Sequence, residues 1–372
     1  MGFKKNIKHS LLNIPGWHTK RHIVVFESDD WGSIRMPSIE TFDYLNNHGV
    51  SISDRYGYDT NDTLASNDDL ELLADALLSV KDSKGDPAKM TFNCCVANPD
   101  FEKIKESNFQ RYFYEPFTET LKRYPNHDRS FELWKEGIRH KVFQPQFHGR
   151  EHLNVPMWMR LLQSNVGYVK KAFDKRVFSM DVVEKGLPQN VLHAYDVLKK
   201  EDYDFVCQSV REGLDLFENL FNFRPLSMIA PCYTWDKEIE DIALQGGIRF
   251  FQGGHVQIAS VYAKSQGLKS TRHFTGRKNS NGQIYMIRSC SFEPTQCPED
   301  NADSCMKEIE MDFHSYKPAI VSCHRFNFIG ELHQSNRDKN LREFKRMLQM
   351  IVAKYPDVEF MSSDELGLLL NE

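Results

Sequence analysis

HIVVFESDDWG, residues 22–32, sets the architecture. Residues 22–28 read as a buried strand, and the strand stops at Asp29-Asp30-Trp31-Gly32, where two carboxylates and a glycine mark a turn. Outward from it, short β-rich runs alternate with longer helical patterns, the rhythm of parallel βα units. Residues 90–96 (MTFNCCV) predict a second strand, followed by the turn Ala97-Asn98-Pro99. Residues 142–148 (VFQPQFH) predict a third, in which Pro145 marks a bulge or irregularity. Further strands are expected over 226–231, 248–252, 284–288, 319–324 and 358–361.

The helical patterns fit between these strands. Leu70, Leu73 and Leu77 mark a helix over 66–80, with Ser66 or Asn67 as its cap. Pro156 stands where the first turn of a helix continuing through MWMRLLQ would begin. Val206, Val210, Leu214, Phe217, Leu220 and Phe221 make 205–221 strongly amphipathic. Gly246-Gly247 end a helix over 237–244, and a long helix covers 341–354 before a short terminal one. Residues 253–283 and 289–304 are polar and turn-rich and are expected as loops, and 165–203, with two helical patterns, as an insertion. The expectation is an α/β fold: one closed or nearly closed (β/α) barrel over residues 21–372, preceded by an N-terminal extension, 1–20.

Composition narrows the function. With 372 residues, 40% hydrophobic and 27% charged, the chain has ample material for a core. A net charge of −5 gives no ground for electrostatic binding to nucleic acid. The basic start, MGFKKNIKHSLLNIPGWHTKRH, lacks the apolar core of a secretory signal, and no run of 18 apolar residues predicts a transmembrane segment. The eight cysteines form no Cys-x-x-Cys pair, which argues against a zinc ribbon. The expectation is a cytoplasmic protein with reduced thiols.

Parallel barrels place their chemistry at the C-terminal ends of the strands. Asp29-Asp30, His148, Pro231-Cys232-Tyr233 and His324 stand at such ends. His148 and His152 are four residues apart, a spacing that on one helical turn puts both imidazoles on one side, able to share a metal. His18 and His22 have the same spacing where no site is expected, so spacing alone decides nothing. Adjacent carboxylates suit a divided task, one binding a cation and the other accepting a proton, although aspartates after strands also simply cap turns. His324 reads as a catalyst or as a satisfied buried histidine. Trp31, Tyr233 and Trp235 read as sugar-stacking platforms or as rim packing.

Together these residues resemble the polysaccharide deacetylase (NodB-homology) family, carbohydrate esterases with a distorted (β/α) barrel. Asp29-Asp30 is similar to the family's first motif, His148-x-x-x-His152 with the following helix to its second, Ala230-Pro231-Cys232-Tyr233 to its Arg-x-Pro-Tyr motif, and Ser322-Cys323-His324 to its late Leu-x-His motif. The resemblance implies a divalent metal, zinc foremost, on Asp30, His148 and His152. It further implies Asp29 as base and His324 as acid, with an oxyanion donor among the backbone N–H groups near Tyr233. The implied reaction is hydrolysis of the N-acetyl (or O-acetyl) group of a sugar or polysaccharide precursor. Two departures stand out. Ala230 replaces the arginine that orients the base, leaving Arg150, Arg249 or Arg325 as substitutes, and the Asp-x-x-Asp-Trp motif that tunes the acid has no counterpart. Two other readings follow: a glycoside hydrolase pairing Asp29 with Glu293 or Asp236, or a silent carbohydrate-binding relative.

Overall fold

The computed structural model describes residues 14–52 and 57–372. Residues 1–13 of the expected N-terminal extension lie outside the described residues. Nine strands pair in parallel in one sheet: β1 (Ile23–Trp31), β2 (Met90–Cys95), β3 (Phe143–Gly149), β4 (Ser227–Ile229), β5 (Phe250–Gly253), β6 (Ile284–Ile287), β7 (Cys290–Ser291), β8 (Ala319–His324) and β9 (Glu359–Met361). Their order is β6-β5-β4-β3-β2-β1-β8-β7, with β9 also on β1. The two ends of this order are consecutive pieces of one segment. β6 pairs with β5 and β7 with β8, and between them Arg288 N–H donates to Gly253 (2.8 Å) and Ser289 N–H to Ile320 (3.0 Å). The sheet therefore curls round as the expected (β/α) barrel.

Helices cover the strands because each presents an apolar stripe. α1 (Asn67–Leu78) is held at its start by a capping box between Ser66 and Asp69 and buries Leu70, Leu73 and Leu77. α2 (Ser130–Arg139) lies over β3, where its Gly137 leaves no room for a Cβ beside the Phe143 ring. α3 (Asp202–Phe221) buries Val206, Val210, Leu214, Phe217 and Phe221, and Gly213 lets it approach Phe147 of β3. α4 (Lys237–Gln245) ends on Gly246, with Gly247 left-handed behind it. α5 (Ala302–His314), α6 (Gln334–Lys354) and α7 (Ser363–Leu370) complete the layer. Each side chain so buried contributes about 1.5–3 kcal/mol, as an upper bound.

Apart from a second helix within 165–203, the expected strands and helices occur in order, beside elements not expected from the sequence, among them β7 inside 289–304 and the helix Ile39–Asn47. α5 begins inside the stretch 289–304 expected to be loop; Asn301 caps it and Cys305, Met306, Ile309 and Phe313 face inward. Residues 253–283 are not all loop, since Val256–Gln257 pairs with Thr271–Arg272 and Val261–Ser265 is a short helix. Between Gly167–Asp174 and α3 there is no second helix, only an irregular segment bridged at Asp181 and Asn190. Pro145 sits in regular register opposite Phe92; the irregularity of β3 falls later, at His148. Among the described residues no helix is long and apolar enough to cross a membrane.

Gly32 fixes the turn after β1. Its φ is +82°, and a Cβ there would lie 2.3 Å from the Cys95 carbonyl oxygen. Left-handed backbone costs alanine about 1 kcal/mol, and the backbone contact has no flexible partner to yield. Gly32→Ala is expected to destabilise by about 2–4 kcal/mol in urea unfolding; an unchanged midpoint would contradict this account of the turn.

Candidate metal centre

Two β-bulges build the site. Opposite Phe92–Cys94 of β2, β1 runs from Ser28 to Trp31, one residue longer than its partner. A regular strand sends neighbouring side chains to opposite faces. The extra residue, with Asp30 left-handed at φ 72°, instead brings Asp29 and Asp30 to the same cavity. On β3, Cys94 pairs with Phe147 and Cys95 already with Gly149, so His148 is the extra residue, and Gly149 has a φ of +135°. His152 follows in a loop before the helix Val155–Gln163. The four-residue spacing is therefore not a helical turn. A strand end and a folded-back loop bring the rings to 5.0 Å between centroids.

Asp30 Oδ1 lies 3.2 Å from His148 Nε2 and 3.4 Å from His152 Nε2, and one ligand atom from each of the three buried residues falls within 4.8 Å of the others. His148 Nδ1 is 2.9 Å from the Ile229 carbonyl, which can only accept, so Nδ1 carries a hydrogen and the ring is held with Nε2 toward Asp30. Burial pushes His152 down to about 3, leaving it neutral. Burial works against the Asp30 carboxylate, but the facing imidazoles and Arg35 more than reverse this and hold it well below the usual range. One carboxylate oxygen and two imidazole nitrogens facing one point, one imidazole oriented by a carbonyl behind it, are a donor set that fits a divalent ion. His152 departs from that pattern, because its Nδ1 is buried without a partner.

Beside this cluster Asp29 is gripped by Arg288, whose Nη1 and Nη2 each donate at 2.6 Å to its two oxygens while Nε donates to Glu27 at 2.7 Å. Asn93 Nδ2 adds a bond at 2.7 Å. Burial would raise the Asp29 carboxyl; the guanidinium outweighs it and brings it below its ordinary value. The arginine that holds Asp29 is thus Arg288, and none of the three expected ones does so. Arg150 bonds Glu151 and Glu212, Arg325 bonds Asp62, and Arg249 lies over the Phe250 ring. Arg288 stands at a strand end like the other candidates, a signal that could have found it.

His324 is opposite Asp29 in register, its Nε2 3.8 Å from Asp29 Oδ2. Its Nδ1 donates to Glu293 at 2.6 Å, and Glu293 also accepts from Asn327. Burial opposes the charged ring, but Glu293 prevails and lifts it to about 9. Both oxygens of Glu293 are therefore engaged, one by His324 and one by Asn327. Asp236 accepts from Tyr203 and from the Ser260 N–H and does not line the cavity.

The cavity over these groups has a volume of about 640 Å³. Its outer wall comes from the irregular segment before α3, through Ser179, Met180, Asp181, Gln189, Asn190 and Leu192. Tyr233 lines it. Trp31 and Trp235 do not: both are core residues, stacked on Phe92 and Phe251, and offer no face to a sugar. The Tyr233 N–H is taken by the Ala230 carbonyl at 3.0 Å and so is not an oxyanion donor.

No family model and no curated protein matches the sequence. Among solved structures the chain is similar to the 4-alpha-glucanotransferase from Thermococcus litoralis (11% identity, TM-score 0.44, covering 93% of this chain but 40% of that one). It is similar to a probable polysaccharide deacetylase from Pseudomonas aeruginosa PAO1 (10%, 0.44, 94% and 90%) and to Puue allantoinase (10%, 0.46, 94% and 91%). Each likeness is one of backbone path alone. Polysaccharide deacetylases are thus among the structural neighbours of this chain.

Proposed function

We propose that this chain is a metal-dependent deacetylase that hydrolyses the N-acetyl group, or an O-acetyl group, of a sugar or polysaccharide precursor. One observation carries the reading. A carboxylate held ionised by Arg288 and an imidazole held protonated by Glu293 face the same cavity as the Asp30–His148–His152 cluster. Opposite protonation states on neighbouring groups are what a base and an acid of one hydrolysis require.

Asp30, His148 and His152 would hold a divalent cation, zinc foremost, which would supply Lewis acidity toward water and an acyl carbonyl. Asp29 accepts the proton of the attacking water. Arg288 keeps that carboxylate ionised and fixes its plane by a two-pronged grip. His324 delivers the proton of Nε2 to the leaving nitrogen as the C–N bond breaks, and Glu293 fixes its tautomer through Nδ1. An acid lifted to about 9 is charged at neutral pH and suits the departure of an amine, which favours N-acetyl over O-acetyl substrates. The glycoside hydrolase reading loses its second carboxylate to this arrangement, and the silent relative loses its main ground, since Arg288 supplies the missing cation.

Asp30→Ala and His148→Ala are expected to lose bound metal in elemental analysis. Asp29→Asn should keep it while acetate release falls by about 100- to 10,000-fold; full turnover in Asp29→Asn would remove the base. Turnover should also vanish in chelator and return with added metal, whereas survival in chelator would favour a two-carboxylate hydrolase. The acid is active while protonated, so activity is lost as pH rises through its folded value of about 9. Glu293→Gln removes what raises that value and should move the alkaline limb of kcat to lower pH. An unmoved limb would show that another group sets it.

A further inference from the structure

The chain is acidic overall, at −5, yet no aspartate or glutamate occurs between Asp241 and Glu293. Within that stretch Lys264, Lys269, Arg272, Arg277 and Lys278 are all exposed. Elsewhere surface cations commonly meet carboxylates, as Lys237 meets Asp241 at 2.6 Å and Arg346 meets Asp303 at 2.9 Å. Among the described residues none of these five cations is in an ion pair. The same arm leaves apolar side chains in water: Val256 is 37%, Val261 41% and Leu268 62% exposed. Val256 is directly opposite Arg272 in the hairpin, which puts the two on one face, and Val261 and Lys264 share a helix face three residues apart. Leu268 adjoins Lys269.

The arm is built, not loose. Ser260 caps its helix at the Ala263 N–H (3.0 Å), Val261 N–H donates to Asp196 (2.7 Å) and Tyr262 N–H to Val197 (2.8 Å). Ile258 N–H donates to the Tyr233 carbonyl at 2.8 Å, which roots the arm beside a residue that lines the cavity.

We propose that residues 254–273 form a docking surface for an anionic lipid bilayer. Anionic headgroups match the unpaired cations, and the headgroup–acyl boundary removes the neighbouring apolar side chains from water. A soluble polyanion would satisfy Lys264, Lys269 and Arg272 but leave Val256, Val261 and Leu268 as exposed as before, which favours the bilayer. A glycan carried at headgroup level would then lie near the cavity rim. That consequence rests on the function proposed above; the docking does not.

The test is co-sedimentation of the full chain with vesicles of phosphatidylcholine alone and of phosphatidylcholine with about one-third phosphatidylglycerol, at low and at physiological salt. Binding is expected to the anionic vesicles only and to weaken with salt. Reversing three charges together (Lys264→Glu, Lys269→Glu, Arg272→Glu) should weaken it by about 100-fold or more, and Leu268→Ser by about 5-fold or more at unchanged net charge. These side chains are exposed, and an unchanged unfolding midpoint checks that the variants fold. Binding to neither vesicle, equal binding to both, or binding that the triple variant leaves intact would overturn the proposal. So would binding of the arm to heparin or RNA without binding to vesicles. Acetate release from soluble substrate is unaffected in either case, so failure here leaves the deacetylase reading standing.

Discussion

The Arg288 guanidinium ties the closing segment of the barrel to Glu27 and Asp29 of β1, 261 and 259 positions away. It stands where the segment 284–291 changes partner from β5 to β8, and it reaches across to Glu27 and Asp29, both on β1. All three groups are buried, and an unpaired charge in their place would cost several kcal/mol. The pairing therefore ties the segment to β1 through side chains as it fixes the carboxylate. Five residues later the same segment carries Glu293 to His324. One stretch of chain thus closes the curled sheet, holds the Asp29 carboxylate ionised and holds the His324 ring charged.

Below the cavity the barrel interior is polar, in a way that supports this arrangement. Gln146 accepts from Ser227, Gln252 donates to Ser227, and Asn93 donates both to Gln252 and to Asp29. Chained buried hydrogen bonds of this kind hold their members in one geometry, although Asn93 Oδ1 and Gln146 Nε2 are left without partners. Above it, the bulges in β1 and β3 turn Asp29, Asp30 and His148 toward a common point without disturbing the strands below. Rigid strands hold the reactive groups, while the irregular segment before α3 walls the cavity.

What the sequence showed best were features of short range. The buried run before Asp29, the alternation of strands and helices, and polar residues at strand ends each follow from local pattern, and they led to Asp30, His148, His152 and His324. Features that depend on distant partners were not legible. Nothing near Arg288 announces Asp29, 259 positions away, and three other arginines fitted the vacancy at Ala230 equally well. Glu293 was visible as a carboxylate, but its partner was not. The bulges are register shifts between strands and leave no local pattern, so the histidine spacing reads as a helical turn. Trp31 and Trp235 misled because an aromatic residue at a strand end looks the same whether it faces a cavity or stacks in the core. α5 was readable from Asn301 and the apolar spacing behind it, but the polar stretch before it obscured its start.

The central claim is that a carboxylate from β1 and two imidazoles, from β3 and the loop after it, hold one cation between the base and the acid. Anomalous diffraction at the zinc edge from crystals grown with zinc tests it most directly. The account predicts a single strong peak about 2 Å from an Asp30 oxygen and from Nε2 of His148 and of His152. A peak bonded to other residues, or none at this cluster, would contradict it.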